Sequence, residues 1–155
     1  MRKILFSLFI AILTFSACSS SKKAQNGEIK QGISGNITEV KGNQMPKVGV
    51  QPPTPKPVST TLFVYLPTHI SQVTPVEPGS PLYTAINSKL VASVQSDSLG
   101  RYSVALPVGS YSLFVKKGAH YFANLFDTQN NIQLVQVDSG KITPMNILIN
   151  SSATY

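Results

Sequence analysis

From residue 32 onward the chain alternates short apolar runs with turn signals, and within the runs apolar positions recur every second residue. In the first run, 33–39, Ile33, Gly35 and Ile37 share one side, with Ser34, Asn36 and Thr38 on the other. Successive side chains of a strand point to opposite faces, so this period predicts half-buried strands. The same reading gives strands at 61–66, 89–95, 101–106, 110–115, 132–137 and 145–149. Leu90, Ala92 and Val94 align in the third, Tyr102, Val104 and Leu106 in the fourth, and Tyr111, Leu113 and Val115 in the fifth. The run Thr-Leu-Phe-Val-Tyr-Leu at 61–66 is apolar on both faces, which predicts a central strand. No segment holds apolar residues at helical spacing over three turns. Seven such strands predict an all-β chain folded as a two-sheet sandwich.

The connections agree. Asp97 in Ser96-Asp97-Ser98-Leu99-Gly100 can bond the backbone ahead of it, and Gly100 can take a positive φ. Pro107 and Gly109 set a second tight connection, and Asp138-Ser139-Gly140-Lys141 a third. Two stretches are too long for a minimal sandwich: a Pro-rich insert at about 42–59, and 67–80 with Pro67, Pro75 and Pro78. Connections of that length are often functional or mobile.

Ahead of the sandwich lies a different pattern. Arg2 and Lys3 precede an apolar stretch at 4–15, followed by Ser16, Ala17 and Cys18, the chain's sole cysteine. A basic start, a short apolar core and small residues make a secretory signal. Its 12 apolar-core residues fall short of the ~20 that span a bilayer. The segment resembles a lipobox, with Phe15 where Leu is usual, which implies cleavage after residue 17 and lipidation of Cys18. A thiolate is the nucleophile such a reaction needs. One acyl chain holds a protein only marginally, at about 0.8 kcal/mol per buried methylene, so the two or three chains of bacterial lipoproteins imply a stable membrane anchor. Residues 18–31 then form a lipidated Cys and a flexible tether, polar and without period. Ser19 after the Cys, with Lys22 and Lys23 where surface-export signals carry acidic residues, points to an outer-membrane lipoprotein facing the periplasm.

Composition narrows the partners. The formal net charge is +7, but the lysines are scattered and no basic stripe interleaves with aromatics, so nucleic acid is not an expected partner. With Cys18 lipidated, the mature chain has no thiol left for a disulfide, and its stability must come from a packed core. The length after residue 17 suits one domain, 32–155, able to bury roughly two thirds of its unfolded surface.

The motifs then converge on a family. Gly32-Ile33-Ser34-Gly35-Asn36-Ile37 matches an opening Gly-x-(Ile/Val)-x-Gly-x-(Val/Ile) strand. Ser96-Asp97-Ser98-Leu99-Gly100-Arg101-Tyr102 matches a (Ser/Thr)-Asp-x-x-Gly-x-(Phe/Tyr) hairpin, and Leu106-Pro107-Val108-Gly109-Ser110-Tyr111-Ser112-Leu113 a Leu-Pro-x-Gly-x-Tyr-x-Leu run. The pattern resembles the carboxypeptidase regulatory-like domains of Bacteroidota envelopes. That resemblance implies a seven-stranded immunoglobulin/transthyretin-like sandwich with no catalytic activity and no cofactor. A hydroxyisourate hydrolase shares the transthyretin fold, but its closing Tyr-Arg-Gly-Ser has no counterpart in Asn150-Ser151-Ser152-Ala153-Thr154-Tyr155.

Little else suggests chemistry. His69 and His120 stand alone, without metal-ligand spacing. Asp97 and Asp127 could be pictured as a calcium or acid–base pair, but Asp97 is accounted for by its turn. The aromatic run Tyr111, Phe114, Tyr121, Phe122 and Phe126 has two readings. Tyr121 and Phe122, in or near a loop at 119–124, could join Tyr83 as a surface that stacks a glycan or anchors a protein. The plainer reading is core packing beneath a loop. The expectation is a lipid-anchored structural or interaction module with an envelope protein as partner, or alternatively a carbohydrate- or ligand-binding module.

Overall fold

A computed structural model describes residues 29–46, 48–51 and 53–155. The expected signal peptide at 1–17, Cys18 and most of the expected tether at 18–31 lie outside the described residues. Among the described residues, no helix is long and apolar enough to cross a membrane.

Two sheets face each other. The smaller is built on one long strand, β1 (Gly32–Asn43). Its first half pairs antiparallel with β7 (Arg101–Ala105) and parallel with β11 (Ile142–Pro144). Its second half pairs antiparallel with β2 (Lys56–Pro57) and parallel with β12 (Ile147–Thr154). The larger sheet runs β4 (Val73–Pro75), β5 (Leu82–Ile86), β9 (His120–Phe122), β8 (Gly109–Lys117), β3 (Thr61–Tyr65) and β6 (Leu90–Gln95). β10 (Leu134–Val137) pairs with the first half of β8.

All seven expected strands are present, and five others join them, four of them of two or three residues. β2 falls in the Pro-rich insert and β4 in the stretch 67–80, so those connections contribute sheet rather than only loop. Tyr121 and Phe122, expected in or near a loop, lie on β9, which turns back on β8 through Gly118 at φ +60°. Gln31 donates from Nε2 to the Leu106 carbonyl at 2.9 Å and accepts from Gly140 N–H at 2.9 Å, which pins it to the sandwich.

Alternation fills the space between the sheets. Ile33 and Ile37 of β1, Tyr102 and Val104 of β7, and Ile147 and Ile149 of β12 meet Leu62 and Val64 of β3 and Tyr111, Leu113 and Val115 of β8. All are buried, and burial of this apolar area is the main force holding the sheets together. Gly35 permits the close approach its position suggested: a Cβ there would lie 1.9 Å from the Met145 carbonyl oxygen. Tyr102 donates its hydroxyl to that same carbonyl at 2.5 Å. Tyr111 donates to the Pro107 carbonyl at 3.0 Å, fixing the connection that leads into β8.

β1 extends past the expected residue 39 because Lys41, Gly42 and Asn43 pair with Ser152, Ala153 and Thr154 of β12; Glu39, on the same side as Ile33 and Ile37, finds partners at the end of the sandwich. Its carboxylate, 11% exposed, takes Lys117 of β8 and Lys41, the latter at 3.1 Å. Burial alone would raise this carboxyl, but the two ammonium groups outweigh it and hold it below the usual range.

Candidate functional site

β8 has a second face, and it too is buried. Phe114 points away from the other sheet and is fully enclosed with Tyr65, Val73, Tyr83, Ala123 and Ile132. Tyr65 and Tyr83 meet its ring edge-on, with centroids 5.6 and 5.8 Å away. Burial, and Tyr121 beside it, push the Tyr65 hydroxyl up to about 12, and burial raises Tyr83 as well. Both phenols are therefore neutral at ordinary pH.

Two irregular segments cover this face, 67–81 and 123–133. Irregular backbone carries polar groups that no ladder satisfies, so each must find another partner when buried. The buried hydroxyl of Ser112 accepts from Thr68 N–H at 2.9 Å, and Thr68 Oγ1 bonds Ser88 Oγ at 2.5 Å. His69 caps one turn of 3-10 helix, Ile70–Gln72, accepting from Ser71 N–H at 3.1 Å. Its ring is a structural cap. Gln133 is buried at φ +46°, and its side-chain Oε1 accepts from Asn124 and Leu125 N–H at 3.4 and 3.3 Å.

Asp127 organises the second segment. Its Oδ1 accepts from Gln129 N–H at 2.9 Å and Asn131 N–H at 2.8 Å, while Oδ2 accepts from Asn131 Nδ2 at 2.9 Å. The Asn131 side chain is the chief reason its carboxyl sits below the usual range. Phe126 and Ile132 bridge across the base of this turn, and Asn131 bridges to His69, so the two covering segments are joined. Ile132 enters the cluster; Phe126 remains 49% exposed.

Between the covers opens a cleft of about 520 Å³. Ile70, Val73, Pro75, Pro81, Tyr83 and Phe126 supply apolar walls. Ser80, Asn124 and Asn150 supply polar side chains, and among the described residues no charged side chain lines it. Asn150 comes from β12 of the smaller sheet and Asn124 from the cover. They are joined by Asn124 Nδ2 donating to Asn150 Oδ1 at 3.0 Å.

No known protein family, no curated protein and no solved structure matches this chain.

The three aromatic residues expected at a surface part company. Phe122 is fully buried among the inter-sheet side chains, and its ring offers no face to a ligand. Tyr121 is half-buried and packs edge-on to Phe63, with centroids 5.2 Å apart. Tyr83 is 2% exposed, but its remaining surface lines the cleft. Pairing on β5 and β9 explains this, since Leu82 lies opposite Phe122 and Tyr83 opposite Tyr121 within the sheet. Cys18 lies outside the described residues. Asp97 and Asp127 each spend their oxygens within their own turns, and among the described residues no three His, Cys, Asp or Glu side chains gather as metal ligands. Phe126, Asn124 and Asn150 were missed as a group. Phe126 belongs to the visible aromatic run, but its company with Asn150 depends on contact between residues 24 or more apart, which one sequence does not display.

Proposed function

We propose that this chain is a lipid-anchored envelope protein whose sandwich, of the carboxypeptidase regulatory-like and immunoglobulin/transthyretin type, is a non-catalytic module that binds a protein partner. Cys18 anchors it to the outer membrane, the tether gives reach, and Ser19 with Lys22 and Lys23 favours the periplasmic side. The observation that carries the interaction reading is the open edge at β6. This strand pairs with β3 alone among the described strands, carries no charge, and exposes Leu90 and Val91. The opposite edge, β4, is guarded: it has three residues, ends in Pro75, and shifts register before it. Short strands, proline and bulges are the usual defences of an edge, and over Ala92–Gln95 β6 has none. Ser96 N–H bonds back to the Thr60 carbonyl at 2.9 Å, so the two-residue period turns the Ser93 N–H outward, free to pair with an added strand.

A photo-crosslinking residue at Gln95, compared with one at Thr74, tests the edge in intact cells. Adducts confined to Gln95 and abolished by Ser93→Pro support it; adducts indifferent to Ser93→Pro, or none, sink it. Fractionation and intact mass of wild type beside Cys18→Ser test the anchor. Acylated, membrane-bound wild type is expected, and a soluble, unacylated wild type would refute that part. Protease added to whole cells separates a shielded domain from one displayed outside.

A further inference from the structure

We propose that the cleft between the two covers is a binding site for a neutral saccharide. This stands apart from the β6 edge and does not depend on it. The cleft's volume of about 520 Å³ falls within the range of roughly 300–1,000 Å³ typical of ligand sites. Its chemistry selects the ligand by charge first. The chain carries a net charge of +7, but among the described residues no charged side chain reaches the lining, so an anion or cation would lose hydration there without gaining a counter-charge from them.

The polar groups then specify hydrogen-bonding character. Asn124 and Asn150 orient each other through one bond at 3.0 Å. That bond leaves the Asn124 side-chain oxygen as an acceptor and the Asn150 amide as a donor, engaged among the described residues only by a 3.5 Å contact to Tyr155 Oη. An adjacent acceptor and donor match neighbouring hydroxyls, each of which can both donate and accept. The Ser80 hydroxyl adds a further polar group on the wall. Phe126 supplies the apolar counterpart. Its backbone is held by the Ile132 bridge and the Asp127 turn, while about half of its surface remains exposed at the cleft. An exposed aromatic ring on a pinned backbone, beside paired carboxamides, suits a ring with an apolar C–H face and hydroxyls at its rim.

The test is isothermal titration of the full lipidated protein, in a zwitterionic detergent, with maltotriose, cellotriose, mannotriose and tri-N-acetylchitotriose. At least one should bind at millimolar concentration or better. Phe126→Ala removes the platform, and Asn150→Asp removes the donor while keeping the acceptor for Asn124 Nδ2. Each should weaken that binding about tenfold or more, with the thermal transition retained. Ser93→Pro should leave it unchanged, which separates this site from the β6 edge. Failure of all four sugars to bind would overturn the proposal. So would binding indifferent to both cleft variants, or a neutral proline-rich peptide that binds the cleft in their place.

Discussion

The two faces of β8 build two hydrophobic clusters by different means. Toward the smaller sheet, Tyr111, Leu113 and Val115 meet strands whose side chains arrive at regular intervals, and the backbone behind them is satisfied by ladders. On the other face, Phe114 is covered by 67–81 and 123–133, segments with little regular pairing. That cover needs Ser112, Thr68, Ser88, Gln133 and Asp127 to satisfy its backbone and hold it down. The regular face supplies rigidity. The irregular one leaves a cleft, because loops laid over a sheet do not pack to a continuous layer as a second sheet does.

The largest expected effects test whether the outer cluster is a full partner in stability. Phe114→Ala removes a fully buried ring with two edge-on aromatic neighbours and should cost about 3–5 kcal/mol. Leu113→Ala, its neighbour on the inner face, should cost about 2–5 kcal/mol. Urea unfolding of both variants decides the matter. If Phe114→Ala costs less than about 1 kcal/mol while Leu113→Ala costs the full amount, the cover is an appendage rather than core. Gly35→Ala should come next, at about 1–3 kcal/mol, because its Cβ would meet the Met145 carbonyl at 1.9 Å and push β1 off its neighbours. That loss belongs to the inner cluster alone, so chemical shifts over 123–133 should stay near those of the wild type.

The same contrast sets what the sequence reveals. Ile33, Tyr102, Leu113 and their partners keep a period of two over several residues, and that period alone places the seven main strands and most of the inner core. β2, β4, β9 and β11 have two or three residues each, too few to display a period. Phe114 could be assigned to the outer face, but nothing local says that face is covered. A further turn signal is written in the sequence: Asp127-Thr128-Gln129-Asn130-Asn131 forms the same turn as Asp97-Ser98-Leu99-Gly100-Arg101, with Asn130 at φ +60° where the first has Gly100 at φ +74°. Asn is among the few residues besides Gly that enter this region readily, so Asp followed three residues later by Asn carries the turn without its glycine.

Ser112→Ala is a smaller and more local probe of the cover. It leaves the Thr68 N–H buried without its acceptor, at a cost of about 1–3 kcal/mol. The inner cluster keeps all its contacts. Amide exchange should accelerate over 67–72 and stay slow over β1 and β7. Uniform acceleration through both sheets would mean that the two clusters unfold as one unit.

The smallest effect uses the matched turns themselves. In each, the Asp accepts from the N–H groups two and four residues ahead, and the side chain of the fourth residue bonds the second oxygen. The Arg101 side chain is the chief cause that lowers Asp97, and the Asn131 side chain the chief cause that lowers Asp127. A folded value below the unfolded one, about 3.9, means that each turn's contribution is complete above that pH. It is lost as pH falls through the lowered value. Amide shifts of Leu99 and Arg101, and of Gln129 and Asn131, should therefore titrate below the ordinary aspartate range. Added salt should raise the Asp97 midpoint more, because its partner is a guanidinium and that of Asp127 a neutral amide. Equal salt responses would show that the backbone N–H groups, common to both turns, govern the two carboxylates and that Arg101 adds little.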